Sequence, residues 1–132
     1  MKMRSLFKIL LITLALALFA GCRTAPIYNV DNAPVVSSTG KALSSTQVRD
    51  AIIHAGTSLG WQMAAKTPGH IIGTLYLRGT MAQVDIKYSP KSYSIEYKNS
   101  EKLKYDGKNI HKNYNGWIMN LQNRINAQLT GM

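Results

Sequence analysis

The sequence contains one cysteine and only six acidic residues among its 132 positions. A single cysteine excludes an intrachain disulfide framework and a cysteine-rich zinc site. The six carboxylates are scattered, and the three histidines have no partner at the short spacings typical of metal ligands. No Gly-x-Ser-x-Gly elbow and no glycine-rich phosphate loop occur. These absences disfavour an enzyme, and they favour a protein that uses neither a metal nor a cofactor.

Long apolar runs are also absent, because the uncharged apolar run at residues 9–20 has only twelve residues. A membrane-spanning helix needs about 20, so this run is typical of the core of a signal peptide. Three basic residues precede the run, and the segment LFAGC at residues 18–22 ends it at Cys22. This ending resembles a bacterial lipobox, in which Phe19 replaces the usual aliphatic residue.

The resemblance to a lipobox implies that residues 1–21 are a signal peptide. It also implies that Cys22 is lipidated on sulfur and becomes the mature N-terminus. The alternative is an ordinary secretory peptide that leaves a free thiol. In such lipoproteins an Asp after the cysteine favours inner-membrane retention, and Arg23 occupies that position here. We therefore expect an outer-membrane protein that faces the periplasm.

Basic residues outnumber acidic ones by 16 to 6. Three of the basic residues and none of the acidic ones lie in residues 1–21, which leaves the mature chain a formal charge of +7. In the cytoplasm such a charge would suggest nucleic acid as the partner. In the envelope the anions are lipid headgroups, lipopolysaccharide phosphates, cell-wall carboxylates and acidic proteins. We expect membrane attachment through Cys22, an envelope protein or anionic polymer as partner, and no nucleic acid.

The mature chain divides into two parts. Residues 22–42 hold two prolines and a glycine beside serine and threonine, a composition typical of a flexible tether. Short apolar spots at residues 27–30 and 35–36 leave open an added edge strand. Residues 43–130 are expected to form a single α+β domain, since they show neither a repeat nor a second domain.

Two amphipathic helices are predicted at the ends of this domain. Ser44 and Gln47 form a capping box at the start of the first helix, and Gly60 follows its last apolar residue. The second helix is predicted from about Asn109 to Leu129, with one continuous apolar stripe.

Alternation of apolar and polar residues predicts four strands between the helices, near residues 61–66, 71–78, 81–88 and 93–98. Three short connections, one of them a hairpin at Gly79-Thr80, indicate an antiparallel meander. The expected fold is a two-layer sandwich with both helices packed on one face of the sheet. That face carries Val84, Ile86, Ile95 and Tyr97.

The C-terminal half resembles a family of small, largely uncharacterised proteobacterial lipoproteins. The resemblance extends from about Val48 to Leu129 and is densest in the segment IHKNYNGWI at residues 110–118. It also includes Gly60-Trp61 and the segments VDIKY, YSIEY and SEKLKY. The resemblance implies export and one shared fold, and it implies no activity.

Two groups of side chains are candidates for a binding surface. Tyrosine, tryptophan, histidine and asparagine are concentrated in residues 97–117, as either a rigid aromatic core or a shallow binding surface. Lysines dominate residues 87–112, where they either attract an anionic surface or protect a solvated strand edge. This stretch has no arginine, which lowers the case for a specific phosphate site. The candidate binding residues are Tyr97, Lys98, Lys102, Lys104, Tyr105, Lys108, His111, Lys112 and Asn115.

The leading hypothesis for the function is a lipid-anchored, non-enzymatic binding or assembly module of the bacterial envelope. The alternative is a binder of an anionic envelope glycan or lipid through the lysine-rich face.

Overall fold

The computed structural model describes residues 23–132, which form two helices and seven strands. The predicted signal peptide, residues 1–21, and the predicted lipidation site Cys22 lie outside the described residues. The strands are β1 (Thr24–Pro26), β2 (Val30–Pro34), β3 (Gln62–Thr67), β4 (His70–Leu77), β5 (Thr80–Tyr88), β6 (Ser92–Glu101) and β7 (Asn109–His111). The helices are α1 (Ser45–Ser58), between β2 and β3, and α2 (Lys112–Thr130), which follows β7.

Five strands form one antiparallel sheet in the order β2-β6-β5-β4-β3, and β1 pairs with β7 in a separate two-stranded sheet. The predicted meander of four consecutive strands is present as β3 to β6. The fold is therefore α+β with two helices, as predicted, but its main sheet has five strands rather than four.

Two of the three additional strands, β1 and β2, come from the segment predicted to be a flexible tether, residues 22–42. Val30 of β2 is 4% exposed and lies opposite Ile95 of β6. The side chain of Asn29 accepts a hydrogen bond from the backbone N–H of Tyr97 at 3.1 Å. The tether prediction is corrected for β1 and β2, because burial of apolar side chains and pairing of backbone groups fix this part of the segment.

The core lies between one face of the sheet and the two helices. Val84 and Ile86 of β5 point to the buried face, as predicted, and both are fully buried. The buried side chains of both helices belong to the same core cluster as this face. From α1 these are Val48, Ala51, Ile52 and Ala55, and from α2 they are Tyr114, Ile118, Leu121, Ile125 and Leu129.

The two helices begin differently from one another. At α1 the predicted capping box is present, because Ser44 Oγ accepts the N–H of Gln47 at 3.1 Å and Gln47 Oε1 accepts the N–H of Ser44 at 2.9 Å. The second helix begins at Lys112 rather than at Asn109, which corrects the prediction. Residues 109–111 pair with β1 instead, so Ile110, the first apolar residue of the predicted stripe, is buried in a strand.

A two-residue turn joins β4 to β5, one position earlier than predicted. Its residues are Arg78 and Gly79, with φ angles of 53° and 78°. Positive φ at both positions is what a type I′ hairpin turn requires, because its twist matches that of the flanking strands. Arg78 therefore occupies a left-handed conformation that side chains other than asparagine and aspartate rarely adopt.

Two buried tyrosines differ in their hydrogen bonding. Tyr93 Oη donates to Asn126 Oδ1 at 2.6 Å, whereas Tyr114 Oη has no partner among the described residues. The two side chains are 1% and 0% exposed. The Tyr114 hydroxyl therefore carries a desolvation cost that no hydrogen bond offsets.

We expect Tyr114→Phe to raise the free energy of unfolding by about 1 kcal/mol, because it removes an unpaired buried hydroxyl and keeps the ring. Tyr93→Phe removes the same atom but breaks the bond to Asn126, so it should lower the free energy of unfolding by about 1 kcal/mol. Urea unfolding of the two variants beside the wild type measures both changes. Equal destabilisation of the two variants would contradict the assignment.

Burial raises the pKa of Tyr93 from 10.0 to about 12, with a smaller contribution from Tyr28. Burial also raises the pKa of Tyr114, with smaller contributions from Tyr97 and Tyr105. Both hydroxyls stay neutral in the folded chain at a pH where the unfolded chain ionises. The contribution of Tyr93 to stability is therefore complete below pH 10 and is lost as the pH rises toward 12.

At about 1.4 kcal/mol for each pKa unit, Tyr93 should account for a loss of about 3 kcal/mol over this range. Denaturant unfolding from about pH 9 to 12 tests this when wild type is compared with Tyr93→Phe. The stability of the variant should fall less steeply, since the other titrating groups are shared. Parallel curves for the two proteins would show that Tyr93 does not titrate as described.

Candidate functional site

A cleft of about 390 Å³ lies where the β4–β5 hairpin, the chain after β6 and the start of α2 meet. Its volume falls within the range of about 300 to 1,000 Å³ that is typical of small-molecule sites. The cleft is lined by Leu77, Arg78, Thr80, Lys102, Leu103, His111, Asn113 and Trp117. Basic, polar and apolar side chains share this lining, which suits a ligand that has both a charged and an apolar part.

Backbone hydrogen bonds bring the elements of the cleft together. The N–H of His111 donates to the carbonyl of Leu103 at 2.8 Å, which holds the chain after β6 against β7. On the other side, β1 pairs with β7, and Thr24 lies opposite His111 in the register. His111 is therefore fixed between two segments, and it carries its side chain into the lining of the cleft.

The loop between β6 and β7 is shaped by Asp106. Its carboxylate accepts the N–H groups of Asn109 at 2.7 Å and of Lys108 at 2.9 Å. These two bonds, that of Asn109 first, hold the pKa of Asp106 below its ordinary value. The one carboxylate in this basic loop is thus engaged by the backbone of its own turn.

The side chains that line the cleft carry a net positive charge. Arg78 and Lys102 are cations, and no carboxylate is among the lining residues. α2 has no acidic residue in its first turn and begins with Lys112. Helix N-termini are ordinarily complemented by acidic side chains, since the helix dipole is positive there. The start of α2 therefore adds to the positive potential of the cleft.

The backbone donors at the start of α2 already have partners. The N–H of Lys112 donates to the carbonyl of Arg23 at 3.0 Å, and the N–H of Asn113 donates to His111 Nδ1 at 3.1 Å. Because Nδ1 accepts this bond, the ring proton of His111 is on Nε2. An anion in the cleft would accordingly be bound by side chains rather than by these backbone groups.

Two cations of the lining have strained backbone conformations. The φ angle is 53° at Arg78 and 59° at Lys102, and the neighbouring Lys104 has φ of 55°. A left-handed conformation costs an ordinary residue about 1 to 2 kcal/mol, whereas glycine adopts it freely. Basic side chains that are kept at strained positions around one cleft indicate a role for those side chains.

The predicted aromatic cluster is largely internal. The Tyr97 ring centroid lies 4.1 Å from that of Tyr105 and 5.8 Å from that of Tyr114. Tyr97 Oη and Ser100 Oγ share a hydrogen bond at 2.8 Å. Tyr105 is 38% exposed at the margin of the stack. The alternative of a rigid aromatic core therefore describes Tyr97 and Tyr114, whereas Trp117 lines the cleft.

The predicted basic residues separate into two groups. Lys102 and His111 line the cleft. Lys104, Lys108 and Lys112 are exposed beside it, on the loop before β7 and at the first position of α2. The structure thus brings together most of the predicted lysines at one end of the domain.

Two predicted binding residues have other partners. Asn115 fastens β1 to α2, because its side chain accepts the N–H of Tyr28 and donates to the carbonyl of Pro26, both at 2.9 Å. Lys98 belongs to the solvent-facing side of the sheet, where its Nζ lies 3.9 Å from a carboxylate oxygen of Asp85. Neither residue lines the cleft.

The solvent-facing side of the sheet carries a hydrogen bond between His70 and Asp85 and ion pairs that involve lysine. His70 Nε2 lies 2.7 Å from Asp85 Oδ1, and Lys87 Nζ lies 3.5 Å from Glu96 Oε2. Asp85 and Glu96 are opposite one another in the register of β5 and β6. Each carboxylate therefore has a basic neighbour, and ion pairs at this degree of exposure contribute little to stability.

Arg78 and Leu77 lie outside both predicted groups, whereas Trp117 belongs to the predicted aromatic cluster but was not among the candidate binding residues. Arg78 precedes Lys102 by 24 positions and reaches the cleft only because the hairpin turns back toward α2. One local signal was present in the sequence. The hairpin turn carries Arg-Gly where Asn-Gly is the preferred pair, which marks Arg78 as a side chain kept against turn preference.

No protein-family model matches the sequence, and no curated protein or solved structure is significantly similar to it. The resemblance to small proteobacterial lipoproteins therefore stays a prediction. Between residues 23 and 132, neither helix has the length and apolar character needed to cross a bilayer. In the same range, no group of three histidine, aspartate or glutamate side chains converges as metal ligands do.

Proposed function

We propose that this chain is a lipid-anchored, non-enzymatic binding protein of the bacterial envelope, attached to the outer membrane through Cys22, whose domain binds an anionic ligand in the cleft. One observation carries the proposal. Arg78, Lys102 and His111 come from three separate elements to line a single cleft that has no carboxylate in its lining. Lipid phosphates and cell-wall carboxylates are the anions that an exported domain would meet.

The apolar part of the lining narrows the class of ligand. Leu77, Leu103 and Trp117 contribute to the same cleft. Leu103 is 2% exposed and Leu77 is 41% exposed, so the apolar wall extends from the core to the surface. A phosphate or carboxylate next to an acyl or aryl group would satisfy both kinds of side chain. Arg78 suits this role, because a guanidinium can donate two parallel hydrogen bonds to such an anion.

Replacing Arg78 with asparagine separates binding from folding. Arg78→Asn creates the preferred Asn-Gly turn, so we expect the free energy of unfolding to rise by about 1 kcal/mol. The same change removes a charged hydrogen-bond donor, so the affinity for phenyl phosphate should fall about tenfold or more. Urea unfolding and calorimetric titration of the detergent-solubilised full chain measure the two effects.

Lys66→Ala is the matched control, since Lys66 is an exposed lysine on β3 that does not line this cleft. It should leave the affinity for phenyl phosphate unchanged. Inorganic phosphate carries only the anionic group of this ligand and phenol carries only its ring. Both should therefore bind more weakly than phenyl phosphate. Unchanged affinity in Arg78→Asn, or equal binding of phenol, would contradict an anion site in the cleft.

A second candidate function is the binding of an envelope protein. The observation that favours it is the exposure of two large apolar side chains at the end of β4. Tyr76 is 64% exposed and Leu77 is 41% exposed. An exposed tyrosine beside an apolar residue and a basic residue has the composition of a protein-binding hot spot.

A photo-crosslinking amino acid at position 76 tests this second candidate in cells. If the domain is an assembly component, position 76 should yield one discrete protein adduct, and Cys22→Ser should reduce that adduct because the domain leaves the membrane. The same amino acid at position 64, an exposed alanine on β3, is the control and should yield none. Identical adduct patterns from the two positions would count against a specific partner at Tyr76.

A further inference from the structure

The residue next to the predicted lipid attachment is fixed to the domain. The carbonyl of Arg23, which directly follows Cys22, accepts the N–H of Lys112 at 3.0 Å. β1 begins at the next residue and pairs with β7. A flexible tether of about 20 residues would allow the domain to move tens of ångströms from the membrane. The observed contact instead holds Lys112, the first residue of α2, against Arg23, which directly follows the predicted lipidation site in the sequence.

The surface around this point is basic. We define the anchor face as the exposed residues Arg23, Lys104, Lys108 and Lys112. The carbonyl of Lys108 accepts the N–H of Ile27 at 3.0 Å, so the loop before β7 follows β1 along this face. Exposed lysines on one surface beside a lipid anchor match the charge of anionic headgroups.

The charge of the domain is concentrated at this end. Arg23 and residues 102–112 contain five basic residues and one acidic residue, a net charge of +4. The described residues as a whole, 23–132, have 13 basic and six acidic residues, a net charge of +7. More than half of the net charge therefore lies in about a tenth of the described chain. The acidic residue of this group, Asp106, is engaged by backbone N–H groups of its own turn.

From these contacts we infer that the anchor face lies directly against the anionic headgroups of the membrane that holds the acyl chains of Cys22. The inference rests on the proposed lipidation and goes beyond it, because lipidation alone leaves the orientation of the domain open. An acyl anchor and a basic surface act together, because the binding of one raises the effective concentration of the other at the bilayer. Since His111 belongs to β7 and also lines the cleft, this orientation holds the cleft close to the headgroups.

Two positions on one helix measure the orientation. Gly116 and Ala127 are exposed on α2, and an added Cβ at Gly116 meets no atom within 4 Å. They are three helical turns apart, so they share a face and lie about 16 Å apart along the axis. Gly116→Cys and Ala127→Cys are each labelled with a nitroxide in the acylated full chain, where Cys22 itself is blocked. The proteins are reconstituted in phosphatidylcholine vesicles that contain about 25% phosphatidylglycerol and a nickel-chelating lipid.

We expect the Ni²⁺ ions at the headgroups to increase the spin relaxation rate of the nitroxide at position 116 several-fold more than that of the nitroxide at position 127. Replacing Lys104, Lys108 and Lys112 with glutamine should abolish this difference while the protein still sediments with the vesicles. The matched control replaces Lys41, Lys66 and Lys91 with glutamine, which removes the same charge from exposed lysines outside the anchor face and should preserve the difference.

The outcomes distinguish the two proposals. Equal relaxation at positions 116 and 127 in a protein that sediments with vesicles would overturn the orientation and leave the lipid anchor intact. Failure of the membrane-extracted full chain to sediment with vesicles would overturn the anchor and the orientation together. Loss of the difference in the Lys41, Lys66 and Lys91 variant would also overturn the assignment, because it would show a response to net charge rather than to the anchor face.

Discussion

The pairing of β1 with β7 is the contact on which the end of the domain that holds the candidate site depends. It sets the start of α2 at Lys112, because residues 109–111 are held as a strand and are not free to continue the helix. It places His111 where its side chain can accept the N–H of Asn113. It also fixes Arg23 beside Lys112, which joins the first described residue of the chain to the start of α2. One short strand pair thereby determines where the helix begins, and it contributes to the lining of the cleft.

The main sheet and both helices were predictable, because the apolar periodicity of these segments is strong and their connections are short. The capping box of α1 and the buried face at Val84 and Ile86 follow from local pattern alone. β1 and β2 were not predictable in the same way, since each depends on a partner that is remote in sequence. The apolar spot at residues 27–30 left open an added edge strand, and β2 occupies one edge of the main sheet, but only its pairing opposite Ile95 shows why Val30 is buried.

The candidate site was predicted in part for a related reason. Lys102 and His111 were singled out because they lie in a basic, aromatic-rich stretch, and both line the cleft. The same stretch has no arginine, so a phosphate site was disfavoured from sequence, yet the β4–β5 hairpin supplies Arg78 from outside it. Asn115 was predicted to be a binding residue because its side chain is polar, but this side chain forms hydrogen bonds with the backbone at the end of β1. Composition therefore selected the end of the domain that holds the cleft, and only the tertiary contacts separate the side chains that line the cleft from those with structural partners.

Several residues at this end lower the stability of the fold, and all of them carry a positive charge that attracts an anion. Arg78 and Lys102 hold left-handed backbone conformations that glycine or asparagine would occupy at lower cost. Lys112 places a positive charge at the positive end of a helix dipole, where an acidic residue would stabilise α2. Residues that reduce local stability are expected at functional sites, where a side chain is kept for binding or catalysis rather than for folding. A bound anion, whether the proposed ligand of the cleft or the headgroups proposed to lie under the anchor face, would reduce the repulsion among these cations. The same residues that weaken the isolated domain would then stabilise its bound state.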